Sequence, residues 1–159
     1  MERIKFIKRA LELAAQNVNE NIGGPFGAVV VKDNEIIAEG TNVVTRDNDP
    51  TAHAEIVAIR KACLKLKSFQ LKGCQIYTSC EPCPMCVGAI YWARPSAVYY
   101  AATRFDAAKA SFDDSFIYDE INSDPSKRKI PMIKLLPNTS DELLIPFSMW
   151  RKNLNKILY

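Results

Sequence analysis

Residues 74–101 read CQIYTSCEPCPMCVGAIYWARPSAVYYA, and this stretch decides the fold. Its first part, 74–79, is short and apolar and predicts a buried strand, and 97–101 predicts a second one. The prolines between them lie where the first turn of a helix tolerates proline, so we predict a helix from about Cys83 to Ala93, ended by Arg94-Pro95. The stretch therefore predicts a strand, helix, strand unit.

The amino-terminal part of the chain predicts a helix and then a hairpin. Over about the first twenty positions, apolar residues recur at helical spacing and predict a buried stripe made of Ile4, Ile7, Leu11, Ala14 and Val18. Residues 26–31 and 36–40 have strand character, and the Asp33-Asn34 pair between them is a turn signal. A second helix is predicted to begin at or just before His53 and to run to about residue 66.

The carboxy-terminal part completes the prediction. Residues 133–136 predict a fifth strand, and apolar residues at helical spacing predict a closing amphipathic helix over about 146–158. Alternating strands and helices with short connections are typical of an α/β fold, here a three-layer α/β/α sandwich around a mixed five-stranded sheet. The sequence has no internal repeat and no low-complexity linker, so we expect a single domain over 1–159.

Composition and charge exclude several classes of protein. The 159 residues are 48% hydrophobic and 25% charged, values typical of a folded globular domain. A net charge of +3, with lysine runs only at 61–72 and 127–129, is too weak to indicate a nucleic-acid partner. No apolar stretch approaches the roughly 20 residues that cross a bilayer, so no membrane segment and a cytoplasmic location are expected.

Cysteine and histidine positions predict a metal site. In a reducing compartment, the close spacing of Cys80, Cys83 and Cys86 favours a metal over disulfides. Cys83 and Cys86 lie three positions apart on the first turn of a predicted helix, so both sulfurs face one ion, and the amino terminus of the helix favours thiolates there. With His53, the only histidine, they make three ligands and leave the fourth tetrahedral position of one Zn²⁺ per chain for water.

Glu55 is the predicted proton carrier. Zinc lowers the pKa of a bound water to roughly 7, and a carboxyl group two residues after a ligand lies beside that water without binding the metal. Two alternatives stay open from the residues alone. Cys80 could join the other three ligands in a structural Cys3His site, although such a site needs no glutamate beside its histidine, and iron accepts the same ligands as zinc.

These motifs carry a family resemblance. With HAE at 53–55 and PCPMC at 82–86, the chain resembles the cytidine-deaminase-like superfamily over essentially its whole length. Three stretches are more narrowly similar to the bacterial guanine deaminases of that fold: GGPFGA at 23–28, GAIYWARP at 88–95 and FDDSFIY at 112–118. The resemblance implies that guanine is hydrolysed at C2 to xanthine and ammonia, with Glu55 also protonating N3 of the ring.

The resemblance also implies substrate-binding residues. By it, Asn42 and Asp114 contact the edge of a small purine base, and Tyr159 closes the pocket. Guanine needs a carboxylate, an amide and aromatic faces, and Phe26 and Trp92 suit the last requirement. Each residue also has a structural interpretation: Asn42 caps a turn, Asp114 caps a helix, and the two aromatic residues belong to the core.

In the family that the chain resembles, the segment that closes the pocket can come from a partner subunit. A homodimer is therefore implied, with the helix at about 146–158 exchanged between subunits; a helix docked on its own domain is equally compatible with the sequence.

Three other functions are compatible with parts of the sequence. A tRNA adenosine deaminase shares the two motifs, but it binds a splayed RNA loop with basic and aromatic residues, whereas 101–120 is rich in carboxylates. Cytosine or a pterin would be another small substrate. A non-catalytic zinc module would not need Glu55. Cys63 and Cys74 are expected to be buried and inert.

Overall fold

A computed structural model describes residues 2–137 and 141–159. The chain divides into two compact units, Met1–Asp114 and Ser115–Tyr159. The single domain expected over 1–159 stays a prediction. Among the described residues, no helix is both long enough and apolar enough to cross a membrane.

The first unit alternates helices and strands. In chain order, its elements are α1 Glu2–Asn19, β1 Gly27–Lys32, β2 Glu35–Thr41, α2 Val44–Asp47, α3 Ala54–Leu66, β3 Cys74–Cys80, α4 Pro84–Ala93, β4 Ala97–Ala102 and α5 Arg104–Lys109. The predicted strand, helix, strand unit is confirmed as β3, α4 and β4. The predicted hairpin is confirmed as β1 and β2, joined by Asp33 and Asn34, which have φ values of 49° and 64°. Both residues thus adopt the left-handed conformation of a two-residue hairpin turn.

The sheet is mixed and has the strand order β2-β1-β3-β4. β1 is antiparallel to β2 and β3, and β3 is parallel to β4. As a result, β1 begins at the same edge of the sheet at which β2, β3 and β4 end. We call this edge, with the loops that leave it, the carboxyl edge. Ligand sites of open α/β sheets form at such an edge.

Helices cover both faces of the sheet. Side chains of β1 and β3 alternate between the faces. On one face α1 packs over a cluster of Phe6, Leu13, Val29, Val31 and Tyr77. On the other face α3 and α4 pack over a cluster that includes Ala28, Val30, Ala58, Ile76 and Ile90. The three-layer α/β/α arrangement is therefore confirmed for this unit.

Gly40 brings the start of α3 directly onto β2. A Cβ atom at Gly40 would lie 2.2 Å from the carbonyl oxygen of Ala54 and 2.6 Å from the amide nitrogen of Ala58. Any larger residue would push the helix away from the strand. The glycine thus fixes the height at which α3 begins, and with it the position of His53.

The predicted stripe of α1 was wrong in its rotation. The helix buries Phe6, Ala10, Leu13, Ala14 and Asn17. Of the predicted set, Ile4, Leu11 and Val18 are exposed, whereas Ala14 is buried and Ile7 packs against the core. Both sets recur at helical spacing, and the choice between them depends on which side of the helix fits the sheet.

The sheet has four strands, so the predicted fifth strand was wrong. Residues 131–137 have no regular secondary structure, and Leu135 is 89% exposed. Strand propensity reflects packing against neighbouring strands, and among the described residues of its unit this short apolar run has no strand to pair with.

The second unit contains short helices. They are α6 Ser115–Asn122, a 3-10 turn at Pro125–Lys127, a 3-10 turn at Asp141–Leu144, and α7 Ile145–Lys152. The closing helix predicted over 146–158 exists, but it ends six residues early. Asn153 leaves the helical conformation, and its Oδ1 atom accepts a hydrogen bond of 2.9 Å from the amide of Asn155. Such a local turn competes with helix continuation, and Leu154 beyond it is 96% exposed.

Candidate active site

His53 is the residue that begins α3. It has an extended backbone conformation at the N-cap position, and its carbonyl oxygen accepts the amide of Val57 at 3.0 Å. The residue before it, Ala52, accepts the amide of Val43 at 3.0 Å. Because Val43 lies just beyond β2, this hydrogen bond ties the start of α3 to the carboxyl edge.

Cys83 and Cys86 occupy the corresponding place on α4. Cys83 is the N-cap residue, Pro84 is in the first turn, and Cys86 is buried one turn into the helix. Proline suits this position because its missing N–H would have no intrahelical partner. Two helix amino termini therefore meet at the carboxyl edge, and their partial positive charge stabilises thiolates between them.

The three predicted ligands come together. The His53 Nδ1 atom lies 3.5 Å from the Sγ atom of Cys83 and 3.6 Å from that of Cys86. All three ligand atoms lie within 4.8 Å of one another. A tetrahedral zinc ion, with bonds of about 2.0 Å to nitrogen and about 2.3 Å to sulfur, holds such ligands about 3.6 Å apart. The donor set and its spacing therefore fit zinc.

The side chains of Cys83 and Cys86 contact each other and shift each other's pKa in opposite directions. A hydrogen bond from Cys86 lowers the pKa of Cys83 to about 4, and the same contact raises the pKa of Cys86. The contact with Cys83 raises the pKa of His53. Cys83 is thus the more acidic of the two thiols, and metal binding displaces thiol protons.

Glu55 lies in the first turn of α3, only 6% exposed. Burial raises the pKa of its carboxyl group above the ordinary value. The carboxyl reaches the side chain of Cys86 but is outside the three-residue ligand group. A buried carboxyl group with a raised pKa, beside the three candidate metal ligands, is suited to accept and return a proton near neutral pH.

Residues 1–102 match the family model of the cytidine and deoxycytidylate deaminase zinc-binding region. The chain belongs to this family. The metal predicted from the ligands is therefore zinc, and the geometry above describes a zinc deaminase.

Relatives and solved structures of this deaminase cover it to different extents. The guanine deaminase of Bacillus subtilis (strain 168) is 60% identical over 100% of both chains. A crystal structure of guanine deaminase from Bacillus subtilis superposes with a TM-score of 0.96 at 59% identity, covering 100% of this chain and 99% of that one. A tRNA-specific adenosine deaminase of Aquifex aeolicus (strain VF5) is 42% identical over 61% of this chain and 64% of its own.

Cys80 is not part of the ligand group in the deaminase. Its Sγ atom donates a hydrogen bond of 3.5 Å to the carbonyl oxygen of Thr103, which follows β4. Burial raises the pKa of the Cys80 thiol to about 11, so the protonated form persists at neutral pH. The geometry thus favours an open site with three protein ligands over a structural Cys3His site.

Asn42 and Phe26 lie side by side at the carboxyl edge. The amide of Asn42 donates to the carbonyl oxygen of Phe26 at 3.1 Å. Asn42 is buried, and its Oδ1 atom accepts the amide of Val44 at 3.3 Å, so the turn-capping role is also present. Phe26 packs edge-to-face on Phe112, with ring centroids 5.0 Å apart. Phe112 precedes Asp113 and Asp114, so this contact brings their segment to the same edge.

Asp114 lies near the zinc ligands. It is partly buried, and burial together with the charge of Cys83 raises the pKa of its carboxyl group. Trp92 is 63% exposed and lies on a different face of α4 from Cys86 and Ile90. Tyr159 belongs to the second unit and is exposed. Substrate roles of Trp92 and Tyr159 stay predictions.

Three residues were missed by the sequence prediction. The hydroxyl of Ser79 accepts the amide of Gly27 at 3.0 Å, and Thr103 caps α5 with Asp106. Asn17 is buried in the last turn of α1 and binds the Asn42 backbone. A polar residue in a buried helical stripe is a signal for such a role, but the stripe of α1 was assigned to the wrong side.

We predict that the cysteines differ in their effect on zinc. Cys86→Ser removes one of three ligands and should lower bound zinc well below one ion per chain, measured by elemental analysis after dialysis against a weak chelator. Cys80→Ala should keep one zinc per chain because its thiol binds a carbonyl oxygen instead. Loss of zinc in Cys80→Ala, equal to the loss in Cys86→Ser, would show that Cys80 is a fourth ligand.

Proposed function

We propose that the protein hydrolyses free guanine to xanthine and ammonia in a zinc-dependent reaction. One observation carries the proposal. The zinc-binding family model matches 1–102, whereas the likeness to guanine deaminase continues through the whole chain. The likeness therefore includes residues 103–159. Asp114 and Tyr159 lie in this part, and we assign them to substrate binding and not to metal binding.

The chain's own residues supply the proton transfers. Bound zinc would be held by His53, Cys83 and Cys86 and would lower the pKa of a water molecule to roughly 7. Glu55 takes a proton from the attacking water as its oxygen bonds to C2 of guanine. Its carboxyl passes this proton to N3. It then takes the proton of the new C2 hydroxyl and passes it to the amino group, which leaves as ammonia as the C2–N bond breaks and the C2 carbonyl of xanthine forms. The buried position of Glu55 raises its pKa and favours the protonated form between these transfers.

Recognition of the base is assigned to the carboxyl edge. The Asn42 side-chain amide has N–H groups to donate to a ring nitrogen or carbonyl oxygen of the base. The carboxylate of Asp114 accepts from N–H groups of the base, and Phe26 offers a ring face for stacking. The base pocket is thus made by loops after β2 and β4 and before β1, next to the metal ligands.

The exposed apolar surface supports a homodimer. In the first unit α4, β4 and α5 expose Tyr91, Trp92, Tyr100 and Phe105. In the second unit neither α6 nor α7 has a buried residue. Large apolar side chains rarely stay this exposed in a monomer. We propose that the carboxy-terminal segment, with the helix of 146–158, is exchanged between subunits so that Tyr159 closes the partner's pocket.

The proposed substrate is a small purine base. Neither a nucleic acid nor a membrane is proposed as a partner. Three cysteines besides the zinc ligands are free thiols, which fits a reducing compartment and therefore the cytoplasm.

A substrate panel tests the proposed function. Zinc-loaded protein is incubated with guanine, cytosine, a pterin and a tRNA that carries adenosine at the wobble position. We expect ammonia and xanthine from guanine and little inosine in the tRNA. Preference for the tRNA would contradict the substrate, and failure to deaminate any base or nucleoside would contradict the catalytic function.

Glu55→Gln should keep zinc and lose turnover. The amide has nearly the shape of the carboxyl group but cannot carry the proton, and such transfers contribute roughly 10²–10⁴-fold to rates. Guanine turnover and zinc content are measured on the same preparation. Glu35→Gln is the matched control, since Glu35 is exposed at the other end of the sheet. A Glu55→Gln enzyme with more than a tenth of the wild-type kcat would rule out this role.

Mixed dimers test the exchange of the carboxy-terminal segment. Glu55→Gln and Tyr159→Ala should each be inactive as homodimers. If Tyr159 serves the partner's site, a mixed dimer has one site with both residues intact, and random co-expression should restore about a quarter of wild-type activity. If Tyr159 serves its own site, the mixture stays inactive. Sedimentation of the wild-type protein as a monomer would also contradict the exchange.

A further inference from the structure

The last turn of α1 contains a buried polar side chain that the proposed mechanism does not use. Asn17 is 1% exposed. Its Nδ2 atom donates hydrogen bonds to the carbonyl oxygens of Gly24 at 2.9 Å and of Asn42 at 2.8 Å. One side-chain amide therefore joins two segments that are distant in sequence.

The two hydrogen bonds define how the amide is oriented. An amide nitrogen has two hydrogens, and both partners of Asn17 are acceptors, so the nitrogen must face them. The Oδ1 atom is then buried, with no hydrogen-bond partner in the described part of the chain. A buried unpaired acceptor costs free energy. The two donated hydrogen bonds satisfy two backbone carbonyl oxygens and hold the asparagine in place despite this cost.

The backbone of Asn17 fixes the same turn. Its carbonyl oxygen accepts the amide of Ile22 at 3.0 Å, and Val18 accepts the amide of Asn21 at 3.0 Å. With Asn21 in the left-handed conformation, this is the Schellman pattern that ends a helix. The chain thus leaves α1 in a defined direction, toward Gly24.

The loop that follows α1 packs directly against the backbone of Asn42. A Cβ atom at Gly23 would lie 2.3 Å from the Asn42 carbonyl oxygen. The hydroxyl of Thr45 donates to the carbonyl oxygen of Ile22 at 3.3 Å. Residues 22–26 and 42–45 therefore form one connected layer, and the Asn17 amide lies inside it.

This layer carries two of the proposed substrate contacts. Phe26 ends the first segment and Asn42 begins the second, and they are joined by the backbone hydrogen bond of 3.1 Å. A small displacement of either segment would move a ring face or an amide relative to the base. Misplacement by about 1 Å is enough to cost an enzyme roughly 10²-fold in rate.

We propose that Asn17 is a positioning residue for the purine pocket, because its buried amide holds the Gly24–Phe26 segment against Asn42. This inference rests on the proposed function, since it concerns where Phe26 and Asn42 meet the base. The two side-chain hydrogen bonds of Asn17 go to the carbonyl oxygens of Gly24 and Asn42, and neither of these residues is a metal ligand. We therefore expect zinc binding to be unchanged when Asn17 is replaced.

The test uses Asn17→Ala in the full-length zinc-loaded enzyme. We expect one zinc per chain, as in the wild type, and a KM for guanine raised at least tenfold, with a smaller change in kcat. Two controls accompany it. Asn19→Ala changes an exposed asparagine of the same helix, and Phe6→Leu trims a buried side chain of α1 that packs on the Tyr77 ring, about three helical turns before Asn17. Both should leave KM within about twofold of the wild-type value.

A second substitution separates positioning from loss of structure. In an Asn42→Ala background, the additional effect of Asn17→Ala on KM should shrink to a few fold, because one of the contacts it positions is already gone. Asn17→Ser, which keeps one hydrogen-bond donor, should give a KM between those of the wild type and Asn17→Ala. It also serves if Asn17→Ala does not fold.

The outcomes are distinguishable. If the wild type does not deaminate guanine, the proposed function fails. If the wild type is active and the Asn17 variants keep its KM, lose zinc, or change KM no more than Phe6→Leu does, the positioning role is wrong. Full additivity with Asn42→Ala would also overturn it.

Discussion

The structure depends on one constraint: a histidine nitrogen and two cysteine sulfurs must lie at the distance from one another that the ligands of a tetrahedral zinc ion have. In this chain the distances of 3.5 and 3.6 Å from His53 to the two sulfurs satisfy it before metal is considered. Two helices have to begin at the same point for this to happen. The parallel pair β3 and β4 places the start of α4 at the carboxyl edge, and Gly40 lets α3 begin directly on β2.

The same constraint explains where the rest of the chemistry lies. Because β1 begins where the other three strands end, the loops that carry Phe26, Asn42 and Asp114 leave the sheet beside the metal ligands. Glu55 follows His53 by two residues and is buried by the same packing, which raises its pKa. A single edge of the sheet thus combines metal binding, proton transfer and recognition of the base, and its supporting layer includes Asn17.

Short-range patterns in the sequence predicted the metal group well. Ligand spacing on a helix turn is fixed by helix geometry, so Cys83 and Cys86 could be assigned without a fold. Features that depend on tertiary packing were not predictable in this way. The stripe of α1 had two helical registers to choose from, residues 133–136 lacked a neighbouring strand, and Trp92 proved to be on the exposed side of α4. Asn17 was missed because the predicted buried stripe of α1 did not include it.

The central claim is an open zinc site with three protein ligands and a proton carrier beside it. X-ray absorption at the zinc edge of the full-length enzyme tests it most directly, because sulfur and lighter ligands scatter differently. The account predicts two sulfur ligands at about 2.3 Å and two nitrogen or oxygen ligands at about 2.0 Å. Three sulfur ligands, with Cys80 as the third, would contradict it and would mean a closed structural site.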